Sequence, residues 1–248
     1  MQPRILIPPD HPRAKSLYTR EVLVDGYRRG LVAAEGLIAH GRGEAFDYLL
    51  GERTTRAAQR AIRAAAAMLL LSKKLVISVN GNTAALCPRE VVELAREAGA
   101  AIEVNLFYRT EEREQAIKAE LEKYGARNVL GVGPRASARI PELQSERRRV
   151  DPDGIYVADT VFVPLEDGDR TEALVRMGKK VITVDLNPLS RTAKTADITI
   201  VDNITRAMPA LISTVIEMRT SRSLKKIVDR FDNKKNLRES VRIMRRLG

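Results

Sequence analysis

The spacing of apolar positions changes twice along the 248 residues. In SLYTREVLVDGYRRGLV (16–32) they fall at 17, 18, 22, 23, 24, 27 and 31, close to a 3.6-residue period, which predicts a helix. TTRAAQRAIRAAAAMLLLS (54–72) is alanine-rich and opens on threonine, which suits an N-cap, so a second helix is expected there. From residue 75 the pattern becomes short β-branched runs: LVISV (75–79), AIEVNLF (101–107), NVLGV (128–132), TVFVP (160–164), KVITVDL (180–186) and DITIV (197–201). Helical segments such as PREVVELAREAG, EEREQAIKAELEKYG and DRTEALVRMG separate most of them. Strands alternating with helices of this length predict right-handed crossovers around a parallel sheet, and mostly apolar strands predict a sheet covered on both faces. After Asn203 the helical period returns in ITRAMPALISTVIEMR, SLKKIVDRF and KKNLRESVRIMRRLG.

The expected fold is therefore α/β: a Rossmann-like parallel sheet of about six strands flanked by helices, with helical segments at both ends. We read one domain, divided into an N-terminal helical segment (1–73), a core (74–205) and a basic C-terminal segment (206–248). RASARIPELQSERRRVDPDG (135–154) is the one long polar connection, and long connections in such folds often carry function.

Composition narrows the classes. The chain is 44% hydrophobic and 30% charged, which is globular. It has no tryptophan and ten other aromatic residues, which gives an aliphatic core and little material for stacking on bases. A single cysteine, Cys87, excludes an internal disulfide and a cysteine zinc site, fits a reducing cytoplasm, and reads as packing. MQPRILIPPDHPRAK lacks the apolar stretch of a signal peptide, and AAAAMLLL (64–71) is too short to span a bilayer. A soluble cytoplasmic protein is expected.

The formal charge is +11, and Arg219 to Gly248 alone holds eleven Lys/Arg against three Asp/Glu. Such a tail can bind nucleic acid, or it can be the solvated face of a helix. The second reading is preferred, and nucleic acid is not expected as a partner.

In an open parallel sheet, ligands bind beyond the carboxyl ends of the strands. That rule selects VNGNTAAL (79–86), NLFYRTEER (105–113), PLEDGDRTEAL (164–174) and DLNPLSRTAKTADITIVDN (185–203). None carries a dinucleotide, P-loop, nucleophile-elbow or zincin signature. With two histidines and no cysteine pair, no transition-metal site is expected, and any metal would be Mg²⁺ held by oxygens and substrate phosphates. Asn80, Gly81 and Asn82 offer backbone amides to an anion, or form a plain Asn-Gly turn. In the third loop Asp169 is read as a helix cap with Glu172 completing a capping box, which leaves Glu166, Asp167 and Arg170 without a role. In the fourth, Asp185 at a strand end suits ribose hydroxyls, Arg191 and Thr192 suit a phosphate chain, and Asn203 ends the next strand. Their convergence on one sheet edge points to a polyanionic ligand such as a nucleotide.

HGRGEAFDYLLGERT, VNGNTAAL, NLFYRTEER, VPLEDGDRTEALVRMGK and VITVDLNPLSRTAKTADITIVDN together resemble the archaeal phosphopantothenate synthetases, or 4-phosphopantoate–β-alanine ligases, over residues 11 to 206. The last forty residues carry no matching motif. The resemblance implies a cytoplasmic homodimer that uses ATP to join 4-phosphopantoate and β-alanine through an acyl-adenylate, in coenzyme A biosynthesis. It puts ATP contacts on Arg20, Arg42, Asp185, Leu186, Asn187, Arg191, Thr192, Asn203 and Ile204. Arg42 and Arg191 would face the ATP phosphates, and Asp185 the adenosine. Asn80, Asn82 and Arg109 are candidates for 4-phosphopantoate, and Asp167 for orienting Mg²⁺ or accepting the amine proton. His40 is read as an orienting or packing residue. LIAHGRGEAFDYLLGE (37–52) is expected to be a turn in a helical region, its glycines giving Arg42 access to the triphosphate. The competing readings are another Rossmann-type nucleotide enzyme, disfavoured by the missing glycine fingerprint, and a nucleic-acid binder using the tail.

Overall fold

A computed structural model describes residues 7–8, 10–141, 143–165 and 168–247. Three helices precede the sheet: α1 (Ala14–Arg28), α2 (Ala34–Leu50) and α3 (Arg56–Leu71). Then follow β1 (Leu75–Val79), α4 (Gly81–Leu86), α5 (Pro88–Ala98), β2 (Ala101–Val104), α6 (Glu111–Lys123) and β3 (Val129–Leu130). A short antiparallel pair, β4 (Ala138–Arg139) and β5 (Arg149–Val150), precedes β6 (Thr160–Phe162), α7 (Gly168–Arg176) and β7 (Lys180–Val184). The chain closes with α8 (Arg191–Thr195), β8 (Ile198–Ile200), α9 (Ile204–Met218), α10 (Leu224–Arg230) and α11 (Asn233–Leu247).

The main sheet has the order β3-β2-β1-β6-β7-β8, and every pairing in it is parallel. Ile77 stands between Ile102 and Phe162, which fixes the register at the centre. The chain winds outward from β1 to β3, returns to the middle at β6, and winds the other way to β8. The topological switch, where ligands of open α/β sheets bind, lies between β1 and β6.

Strand alternation sorts the core. Leu75, Ile77 and Val79 join Phe162, Ile182 and Ile198 on the face covered by α3, α5 and α9. Val76, Val161, Val163 and Val181 lie on the other face, under Ala173 and Leu174 of α7 and under Ile140, Leu143, Val150 and Ile155. The long polar connection is thus part of the core: its sparse apolar residues cover a sheet face, and each contributes roughly 1.5–3 kcal/mol by burial.

Two expectations are corrected. LIAHGRGEAFDYLLGE is not a turn, because α2 runs unbroken from Ala34 to Leu50 and ends on Gly51 in the left-handed conformation (φ 75°). Two interior glycines cost about 1 kcal/mol each relative to alanine, and tertiary packing of Asp47 and Leu50 outweighs them. Asp169 is likewise no cap, because α7 begins at Gly168 and Asp169 lies inside its first turn. The helix expected at 54–72 does form, and the Thr55 side chain accepts from the Ala58 N–H as its cap. Among the described residues, no helix is long and apolar enough to cross a membrane.

Candidate active site

At the carboxyl end of β1, Asn80 caps α4 by accepting from the Thr83 N–H at 3.0 Å. Its Nδ2 reaches across the switch point and donates to the carbonyls of Pro164 (3.2 Å) and Leu165 (2.9 Å). Leu165 has φ of 55°, unusual for a leucine, and these bonds help hold it there. Asn82 donates to the Gly36 carbonyl at 2.8 Å and so fastens the first turn of α2. Gly81 is glycine for a steric reason: a Cβ there would lie 2.1 Å from the Leu31 carbonyl oxygen. Both asparagine side chains are therefore engaged within the protein.

Beyond β2 and β3 lies a buried charge network. Arg109, with its side chain 3% exposed, pairs through Nη1 with Glu114 Oε1 at 2.8 Å, and Nη2 points at the carbonyls of Val104, Gly131 and Arg149. Burial pulls its pKa down against the Glu114 charge. Arg170, absent from the sequence-derived site, is fully buried; it donates to Asn105 Oδ1 (2.6 Å) and Ser78 Oγ (2.7 Å). Asn105 in turn donates to the carbonyls of Arg147 and Arg149, so one arginine ties β1, β2 and the 135–154 connection together. Glu103, also fully buried, accepts from the N–H groups of Asp151 (3.0 Å) and Ile155 (2.6 Å), and burial pushes its pKa up to about 7. Gly154 makes room for it, since a Cβ there would stand 2.0 Å from Glu103 Oε2.

On the other side of the switch, Asp185 organises the loop after β7. Its Oδ1 accepts from the Asn187 N–H at 2.8 Å and its Oδ2 from Ser190 Oγ at 2.5 Å, while Ser190 caps α8. Burial raises the Asp185 pKa against those two bonds. Arg191 is exposed and ion-paired with Asp169, with Glu172 at 3.9 Å. Thr192 and Leu186 are buried. Asn203 caps α9 and donates from Nδ2 to Asp47 Oδ2 at 3.0 Å, and Ile204 is buried behind it.

Helix α2 adjoins this side. A Cβ on Gly43 would lie 3.6 Å from Leu186 Cδ1, and the neighbouring Arg42 is exposed, without a hydrogen-bond or ion-pair partner among the described residues. The structure thus brings Arg42, the 185–192 loop, Asn203 and Ile204 together, and puts Asn80, Asn82 and Arg109 across the switch. Arg20 stands apart in a groove of about 490 Å³ between α1 and α2, paired with Glu44 at 2.7 Å. Burial pushes Glu44 up, but the bonds from Arg20, Ser16 and Tyr48 hold it below the usual carboxylate range. His40 lines the same groove, and burial lowers its pKa, which suits a packing residue. Asp167 lies outside the described residues. Cys87 is buried and its thiol is pushed well up by burial, consistent with packing.

Of the residues missed from sequence, only Glu103 carried a signal, as a lone carboxylate in an apolar strand. Arg170 and Asn105 depend on neighbours far apart in the chain.

Fold and site define a doubly wound α/β protein whose carboxyl edge gathers cationic and amide groups on both sides of its switch point. Residues 57–247 match the phosphopantothenate/pantothenate synthetase family, and the chain belongs to it. The match includes the C-terminal segment, in which no motif was recognised, and begins after Arg20 and Arg42. A 4-phosphopantoate–beta-alanine ligase of Thermococcus kodakarensis is 58% identical over 234 residues, 93% of this chain and 89% of the relative. The ligases of that name from Thermococcus onnurineus and Methanosarcina mazei are 57% and 55% identical, each over 95% of this chain and 90% and 92% of their own length.

Proposed function

We propose that the chain joins 4-phosphopantoate to β-alanine with ATP as co-substrate, giving 4-phosphopantothenate for coenzyme A biosynthesis in the cytoplasm. The near-full-length likeness to ligases of that activity carries the reading. A carboxylate is a poor electrophile and needs activation. Its oxygen attacks the α-phosphorus of ATP and pyrophosphate leaves; the β-alanine amine then attacks the acyl carbon, AMP leaves, and the amine proton is lost. These steps demand alignment and charge neutralisation more than acid–base groups.

Arg42 and Arg191 take the ATP phosphates, and Asp185, Leu186, Asn187, Thr192, Asn203 and Ile204 shape the nucleotide's surroundings. Arg42 needs no ion pair broken, whereas Arg191 exchanges Asp169 for phosphate. Asp185 keeps one lone pair on each oxygen for a hydroxyl. Asn80, Asn82 and Arg109 build the 4-phosphopantoate half, mainly by holding its backbone in place, and Asp167 serves at the reacting groups. Mg²⁺, when bound with the ATP phosphates, would neutralise part of their charge. Asp169 and Glu172, the carboxylates beside Arg191, would hold a cation carried on those phosphates.

A homodimer formed through α2 accounts for an exposed stripe of Ile38, Gly41, Ala45 and Tyr48. Arg20, on that same face, would then meet the partner's nucleotide. Light scattering on wild type and on Ile38→Lys tests this, a dimer and a monomer being expected.

The activity test is a mixture of protein, ATP, Mg²⁺, 4-phosphopantoate and β-alanine. AMP and 4-phosphopantothenate should appear in equal amounts; ADP in place of AMP would mean an acyl phosphate. Arg42→Ala should raise KM for ATP about tenfold or more, since a charge-assisted contact is worth roughly 1.5–3 kcal/mol, and unchanged ATP affinity would remove Arg42 from this role.

A further inference from the structure

The basic C-terminal segment has an inner face with a task. Along α11, Asn236, Leu237, Ser240 and Met244 are buried at helical spacing, while Lys234, Lys235, Arg238 and Arg242 face solvent. Leu237 and Met244 form one apolar cluster with Leu50 of α2, Leu186 of the loop after β7, Ala193 of α8 and Val201 after β8. The helix is wedged between the two elements that carry Arg42 and Arg191. Arg60 of α3 pairs with Glu239 and holds it from a third side.

Its first residue makes the closest connection. Asn233 Nδ2 donates to the carbonyls of Ala193 (3.0 Å) and Ala196 (2.9 Å), and Oδ1 accepts from the Thr199 N–H at 2.9 Å. Thr199 Oγ1 also donates to the Ala193 carbonyl, at 2.8 Å. Helix α8 is only five residues long and cannot fix its own position. It is held at its start by the Asp185–Ser190 bond and at its end by Asn233 and Thr199.

We propose that Asn233 is a positioning residue for the ATP half of the site, and that α11 is the wedge that keeps α2 and the 185–192 loop in register. The inference rests on the ATP reading above. Asn233 touches no substrate; it sets where Arg191 and Thr192 stand by fixing the far end of the element that bears them.

The test is steady-state kinetics of the full-length protein with each substrate varied in turn. Asn233→Ala should raise KM for ATP about tenfold, because displacing a binding group by even an ångström is costly. KM for 4-phosphopantoate and for β-alanine should stay within about twofold, since uniform binding of those substrates is untouched. Asn233→Ser, which keeps one donor and one acceptor, should give a smaller rise and serves if the alanine variant does not fold. Arg242→Ala, on the outer face, should change none of the three. Equal rises in all three constants, or no rise for ATP, overturn the inference. Arg191→Ala separates the two levels. If it raises KM for ATP while the Asn233 variants do not, the positioning role fails and the ATP reading stands. If Arg191→Ala and Arg42→Ala both leave KM for ATP unchanged, the ATP reading fails and the positioning role with it.

Discussion

Replacing Arg206 with methionine should be among the most damaging single changes outside the apolar core. Its guanidinium lies between two carboxylates, reaching Asp47 at 2.5 Å and Asp202 at 2.6 Å. Asp202 is fully buried and Asp47 nearly so. Thr54 and the Asn203 backbone N–H also donate to Asp202, and Asn203 Nδ2 donates to Asp47. Methionine would fill the volume but leave two buried like charges facing one another with dipoles alone to offset them. Breaking a buried pair from one side costs about 3–5 kcal/mol. A chain of this size loses roughly 2–4 °C per kcal/mol, so Tm should fall by about 6–20 °C. Urea unfolding followed by circular dichroism gives the free energy. The double variant Arg206→Met with Asp47→Asn gives the coupling, because it removes one of the stranded charges. The double variant should be more stable than Arg206→Met alone. A loss under about 1 kcal/mol for Arg206→Met would refute the reasoning, since that is the range of an exposed pair.

Glu103 sets a second prediction. Its folded pKa of about 7 exceeds the ordinary carboxyl value, so the folded state holds its proton longer than the unfolded chain. Its contribution to stability is therefore full below the ordinary carboxyl range, falls as pH rises toward 7, and is flat above. Urea midpoints at several pH values between 4.5 and 8 should show that slope in wild type and lose it in Glu103→Gln, after an overall loss from the mismatched amide; equal slopes would mean that Glu103 is not the group. Gly154→Ala should cost about 1–3 kcal/mol by driving a methyl into that same carboxylate. Gly41→Ala, where a Cβ meets nothing within 4 Å, should stabilise α2 by about 0.5–1 kcal/mol in dilute protein, and a loss there would contradict the open space around it.

The six strands were readable because each is a β-branched run bounded by turn formers, and the parallel sheet followed from the helices between them. Strand order was not readable, because nothing local to β6 says that it returns beside β1. The HGRGE stretch misled because glycine is a breaker by local propensity, while the signal that prevailed was the helical spacing of Phe46, Asp47 and Leu50. The cationic loops were identified from strand ends alone. What their side chains do was not, since Asn82 finds its partner in Gly36 and Arg170 finds its own in Ser78 and Asn105, each remote in sequence. The basic tail looked like a solvated face, and half of it is; the other half was hidden because Leu237 and Met244 are few among many charges.

A ligase of this kind must bring two bound molecules to within bonding distance, and the candidate residues for each lie on opposite sides of the sheet's switch point. Asn80 spans the switch directly, from β1 to the carbonyls after β6. Helix α2 spans it a second time. Its first turn is tied to Asn82 on one side, its middle rests on Leu186, and Asp47 near its end is bonded to Asn203 and Arg206 on the other. An unbroken helix serves this purpose better than the expected turn, because a rigid rod transmits position from one half to the other. The glycine in its first turn has a use that is independent of bending, because a Cβ on Gly36 would stand 2.3 Å from Asn82 Oδ1. Gly43 needs no such room, since a Cβ there would meet Leu186 Cδ1 at an ordinary 3.6 Å, so α2 lies along the 185–192 loop without any hinge.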